Sequence, residues 1–183
     1  SSVILVKALE ETDGYREVYE SAKSIADTVS AEAMVNIRVS YGTIIHELKD
    51  VSKSYKEAGM ALDVGRIFYP GHNILAYNEL GIGRLIHQLP LSLCDMFLKE
   101  VFGERDVSEF EEETLSTVYK FFENNLNVSE TSRKLFVHRN TLVYRLEKIK
   151  KLTGLNLREV DNAIVLTVAL MVTQYLRSRE TLA

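Results

Sequence analysis

Between Asn127 and Gly154 the sequence allows two helices with almost nothing between them. Asn127-Val128-Ser129-Glu130 offers a polar N-cap with a glutamate three residues on, so a helix can begin there with its first amides satisfied. That helix runs to about Leu135-Phe136, and after Val137-His138 a second begins at Arg139 and continues to about 152. Leu152-Thr153-Gly154 closes it, with glycine just beyond the last apolar residue, as a C-cap requires. On a wheel for the second helix, Leu142, Leu146 and Ile149 gather on one face, and Asn140, Thr141, Tyr144, Lys148 and Lys151 on the other. A brief turn between two such helices defines a helix-turn-helix.

Charge is divided unevenly about this motif. Residues 1–124 hold 12 Lys and Arg against 21 Asp and Glu, a net of −9, while residues 125–183 hold 10 against 5, a net of +5. Within 129–151 there are seven basic side chains (Arg133, Lys134, Arg139, Arg145, Lys148, Lys150, Lys151) and two acidic ones (Glu130, Glu147). That imbalance is a local polyanion-binding signature, although basic helix faces are also often simply solvated. The outer face of the second helix adds amide, hydroxyl and phenol groups, which hydrogen-bond base edges and phosphates in a major groove. In a helix-turn-helix the N-terminal residues of the second helix approach the bases. Asn140, Thr141 and Tyr144 are therefore expected to read bases, and His138, Arg139, Arg145, Lys148 and Lys151 to meet mainly phosphates.

Upstream, the pattern is β-α-β-α-β-α. Val3 to Val6 read as a buried strand, and Asp13 to Ser30 as a helix capped by Asp13. Val35, Ile37 and Val39 alternate as a strand ended by Gly42; a helix follows over about 48–64, with Gly65 near its end. Pro70-Gly71 marks a turn, 74–77 a strand, and 80–89 a short helix before Pro90. Past Pro90 the sequence reads as helical: about 91–101, 109–124, 128–136, 139–152 and 158–178. With 46% hydrophobic residues, 26% charged and only two prolines, this is ordinary globular composition. The longest apolar run, near 163–172, is about half of what a membrane span requires.

The stretch Val128 to Ile149 resembles the C-terminal helix-turn-helix of PucR/CdaR-type bacterial transcription regulators. His138-Arg139-Asn140-Thr141-Leu142 with Tyr144-Arg145-Leu146 is its most specific part, and the likeness extends over roughly 109–178. Ser132 stands where that family usually has alanine, at a tight helix crossing, and Val143 where it often has a basic residue. Ser54 to Asp63 and Leu80 to Ile86 resemble the family's middle domain, a degenerate relative of the GGDEF nucleotide-cyclase fold. The resemblance implies an α+β protein: a partial GGDEF-like sheet-and-helix domain at 1–89, a connecting helix or linker at 90–108, and an all-α helix-turn-helix domain at 109–183. The Gly-Gly-Asp-Glu-Phe signature would lie before Ser1 and occurs nowhere in the chain, so diguanylate cyclase chemistry is not expected.

No other residues organise a catalytic, cofactor or metal site. Gly81-Ile82-Gly83 lacks the third glycine and the strand-to-helix setting of a dinucleotide fingerprint. His46, His72, His87 and His138 are isolated from one another, and no metal-binding spacing exists. Cys94, the single cysteine, reads as a buried structural thiol in a reducing cytoplasm. Glu111-Glu112-Glu113 suits the exposed first turn of the 109–124 helix. The last helix is apolar nearly all round over Ala163 to Val172, so a second chain is expected to share in covering it, making a homodimer. The expected protein is a sequence-specific DNA-binding transcription regulator, not an enzyme, with double-stranded DNA as partner, no membrane association and no cofactor. A chain beginning Ser1-Ser2 is expected to be a piece of a longer protein that senses a small molecule outside these residues. The competing reading is a ligand-binding or dimerisation module that no longer contacts DNA.

Overall fold

The computed structural model describes residues 2–103 and 110–180, which fall into two units, Ser1–Gln88 and Leu89–Ala183. The first unit contains α1 (Tyr15–Ala33), β1 (Val39–Tyr41), α2 (Val51–Phe68), β2 (Ile74–Ala76) and α3 (Gly81–Ile86). β1 and β2 pair in parallel, Val39 opposite Ile74, Ser40 opposite Leu75 and Tyr41 opposite Ala76. Parallel neighbours need a crossover, and α2 supplies it. Its buried Ala61 and Val64 meet Leu75 and Leu80, with Met60, Phe68, Tyr69 and Tyr77 around them.

Two close approaches fix this small layer. A Cβ added to Gly42 would stand 2.1 Å from the Ser54 carbonyl oxygen, so the chain leaving β1 touches the α2 backbone. A Cβ on Gly65 would stand 2.3 Å from Leu75 Cδ1, so Gly65 is where helix meets strand. Polar bonds follow the same seam. Glu57, buried in α2, accepts from the Thr43 amide at 2.9 Å and from the Thr43 hydroxyl, while Ser54 Oγ donates to the Thr43 carbonyl at 2.9 Å. Ser40 Oγ donates to the Ala58 carbonyl at 2.8 Å.

The second unit contains α4 (Leu91–Phe102), α5 (Glu112–Glu123), α6 (Val128–Lys134), α7 (Arg139–Thr153) and α8 (Val160–Glu180). Its core joins Phe121, Val118, Leu142, Leu146, Ile149, Leu157, Leu166 and Ala169, with Phe102 and Phe110 edge to face at 5.8 Å. α4 packs on α8 and touches α7, so the segment expected to be a connector supplies part of this unit's packing. α8 buries Ala163, Leu166, Ala169, Leu170, Val172, Thr173 and Tyr175 within its own chain and leaves Val160 and Ile164 exposed.

Several upstream expectations are corrected. Val3–Val6 form no strand and are solvent-exposed, Val3 at 88%; a short apolar run becomes a strand only with a partner, and among the described residues β1 and β2 pair only with each other. The strand expected from Val35 to the Gly42 stop ends as expected but is shorter, Val39–Tyr41, because only that stretch lies alongside β2. Gly14, not Asp13, caps α1: its amide donates to Glu17 Oε2 at 2.8 Å, while Asp13 accepts from the Glu10 amide. Gly65 does not end α2, which continues to Phe68. The expected helix start at residue 109 lies outside the described residues.

Two glycines of this unit should respond oppositely to alanine. Gly42→Ala forces backbone apart and should cost about 1–3 kcal/mol. Gly59→Ala, inside α2 with open space around its added Cβ, should gain about 0.5–1 kcal/mol. Urea unfolding of the full chain would read both.

Candidate nucleic-acid interface

The turn between α6 and α7 is built by caps at each side. Asn127 Oδ1 accepts from the Glu130 amide at 3.0 Å and starts α6; the Glu130 carboxylate pairs with Arg133 at 2.7 Å instead of reaching back to Asn127. α6 then closes through the amide of Phe136 on the Arg133 carbonyl at 3.1 Å and that of Val137 on the Ser132 carbonyl at 3.0 Å. This paired closure places Phe136 in the left-handed region, φ 54°. His138 caps α7, its Nδ1 accepting from the Asn140 amide at 3.2 Å. In a neutral ring so used, Nε2 carries the proton, so the exposed His138 retains an outward donor.

α7 is held by its inner ridge. Leu142 and Ile149 are fully buried and Leu146 nearly so, which aims the opposite face outward. Arg139, Asn140, Thr141, Tyr144 and Lys151 are all exposed, Tyr144 at 70%. At the far end Gly154, φ 77°, donates its amide to the Lys150 carbonyl at 2.8 Å and ends the helix as its sequence position implies. Ser132 is buried, and its hydroxyl donates to the Ser129 carbonyl at 3.0 Å, so the helix crossing accepts a hydroxyl without leaving it unpaired.

Two of the eight expected contact residues are engaged within the protein. The Arg145 side chain is only 15% exposed; its guanidinium pairs with Glu113 and donates to Thr117 Oγ1 at 3.2 Å. Lys148 Nζ lies 2.8 Å from Glu111 Oε1. Glu111 and Glu113, read from sequence as an exposed helix start, thus stand beside the outer helix and take two of its cations. Helical spacing gives the signal for Arg145: it is three residues after Leu142 and four before Ile149, which sets it against the buried ridge. The acidic partners come from the first turn of α5 and its N-cap, more than thirty residues away, and no local signal marks them.

Elsewhere, α2 presents an open recess lined by Lys49, Ser52, Lys53, Lys56, Glu57 and Met60. Cys94 is buried, and burial first, then the Asp95 charge, push its thiol above the ordinary range, away from nucleophile chemistry. Among the described residues no group of three His, Cys, Asp or Glu is placed to hold a metal, and no helix is long and apolar enough to cross a membrane.

This geometry defines a helix-turn-helix with a basic, hydrogen-bonding outer helix. Residues 114–172 match the family model of the PucR C-terminal helix-turn-helix domain. The chain is similar to the purine catabolism regulatory protein of Bacillus subtilis (strain 168), 29% identical over 173 residues, covering 92% of this chain and 32% of that protein. It is likewise 29% identical over 140 residues to the carbohydrate diacid regulator of Escherichia coli (strain K12), covering 76% of this chain and 36% of that one. A crystal structure of a regulator of polyketide synthase expression from Bifidobacterium adolescentis aligns at TM-score 0.39 and 23% identity, over 67% of this chain and 50% of that chain. The chain spans about a third of the length of the two curated relatives. Both of these curated relatives are named as regulators.

The two arginines of α7 should separate scaffold from surface. Arg145→Ala should lower stability by about 1–3 kcal/mol, since it strips Thr117 and Glu113 of a partly buried partner. Arg139→Ala should change it by less than about 0.5 kcal/mol. Paired thermal melts of the two variants against the parent chain would check this.

Proposed function

We propose that the protein is a sequence-specific DNA-binding transcription regulator of the PucR/CdaR type that reads the major groove with α7. The observation that carries this is the outward face of α7. A buried leucine and isoleucine ridge aims Asn140, Thr141 and Tyr144 away from the core, with His138, Arg139 and Lys151 exposed around them. Such groups at the start of the second helix of a helix-turn-helix meet base edges, while flanking cations meet phosphates. In this reading Asn140, Thr141 and Tyr144 read bases, and His138, Arg139, Lys148 and Lys151 contact the backbone. Lys148 exchanges Glu111 for a phosphate, and Arg145 acts chiefly by fixing α7 on α5.

The first unit is read as a degenerate relative of the GGDEF domain, supported by its parallel β1-α2-β2 crossover. The protein works as a cytoplasmic homodimer, with α8 or the first unit at the contact; Val160 and Ile164 on α8 and Leu91, Leu93 and Met96 on α4 are among the exposed apolar side chains. Relatives named for purine catabolism and for carbohydrate diacids support a small metabolite as effector, sensed by a part of the protein outside these residues.

Selection of genomic fragments by the purified chain, in parallel with the Asn140→Ala/Thr141→Ala/Tyr144→Ala variant, tests the assignment. Enrichment of a shared motif that the variant loses is the expected outcome; equal recovery of fragments by both would mean that DNA binding needs a part of the protein outside these residues or that the chain is an interaction module. Lys148→Ala should weaken all sequences alike and flatten the dependence of log K on log salt by about one phosphate contact. An unchanged slope would remove its phosphate role. Sedimentation at micromolar concentration should give a dimer, and a monomer would remove the homodimer.

A further inference from the structure

Phe136 is the least explained side chain of the second unit. Three helices there end through the left-handed region, α5 at Asn125 (φ 51°) and Leu126 (φ 59°), α6 at Phe136 (φ 54°) and α7 at Gly154 (φ 77°), and Leu126 packs against the core. Asparagine and glycine tolerate that backbone; a phenylalanine pays for it with the clash of its Cβ against the following carbonyl. Nor does burial compensate, because Phe136 is 96% exposed. The position therefore carries an aromatic ring that neither helix closure nor core packing uses.

Its surroundings indicate what the ring meets. Phe136 sits two residues before the His138 cap, on the turn that leads into the exposed start of α7, with Arg133 and Lys134 before it and Arg139 after it. Met34, which closes α1 with φ 53° and is also exposed, has one cation, Arg38, and one acid, Glu32, within five residues, against three cations and no acid within five residues of Phe136. An apolar ring among cations fits a polyanion that also has apolar surface. A DNA strand is such a surface, alternating phosphates with the carbon edges of deoxyribose.

We propose that Phe136 is a DNA-contact residue: when α7 enters the major groove, its ring packs on the deoxyribose edge of the strand beside the phosphates that Lys134 and Arg139 meet. The inference rests on the DNA-binding reading above and adds a contact without charge or hydrogen bond. It is indifferent to base sequence, so it contributes to affinity for any duplex.

The test uses the full chain, a fluorescently labelled mixed-sequence duplex and a salt series, with Phe136→Gly and Phe136→Leu beside the parent. Phe136→Gly should bind about tenfold more weakly, the loss of a partly buried aromatic contact, with an unchanged salt slope because no charge is removed. The same variant should melt at the parent's temperature or higher, since glycine relieves the left-handed backbone. Phe136→Leu should recover most of the affinity. Binding within twofold of the parent would overturn the contact while leaving the DNA-binding reading intact; a parent that binds no duplex at low salt would overturn that reading itself. Weaker binding together with a lower melting temperature, or with a changed oligomeric state by sedimentation, would assign Phe136 a structural or chain-to-chain role and also overturn the proposal.

Discussion

Everything the outer face of α7 presents depends on how firmly its inner face is held. Leu142, Leu146 and Ile149 enter a core shared with Phe121 and Val118 of α5 and with Leu166 and Ala169 of α8. Burying side chains of this size stabilises by roughly 1.5–3 kcal/mol each, and a one-residue rotation of the helix would exchange that gain for exposure. The orientation of Asn140, Thr141 and Tyr144 is therefore fixed by residues that never touch a ligand. Arg145 extends the same clamp with polar bonds to α5.

Charge on α7 is consequently of two kinds. Arg145 lies against the ridge and is consumed by Glu113 and Thr117, whereas Arg139 and Lys151 remain exposed. Lys148 stands between them, half-exposed and held by Glu111. An acidic edge beside a basic helix limits its pull on polyanions, because each phosphate contact at that edge competes with a carboxylate already in place. Glu147, paired loosely with Arg158 at 3.8 Å, adds to the same restraint. Net charge over 125–183 thus overstates the cation density offered to a partner.

The first unit depends on contact at backbone distance rather than on a large core. Gly42 and Gly65 let β1's exit and β2 lie directly on α2, and buried Glu57 and Ser54 satisfy the loop between them. Val3–Val6, apolar enough in composition for a strand, pairs with neither β1 nor β2 and is exposed.

The helix-turn-helix was legible because its determinants are local. The Asn127 cap, the Leu142-Leu146-Ile149 spacing and Gly154 each act within a turn or two of the chain, and the structure has each where periodicity puts it. The matched domain over 114–172 agrees with that reading. The sequence by itself determined the two helices of this motif, the Asn127 and Gly154 caps, and the outward hydrogen-bonding face of α7. Only the tertiary structure decided which cations are free, that Gly65 serves a contact instead of a cap, that the 91–102 helix packs on α8, and that Phe136 holds a left-handed turn in solvent. Those outcomes are set by side chains far apart in sequence, such as Glu113 with Arg145 and Gly65 with Leu75, whose distances no local pattern encodes.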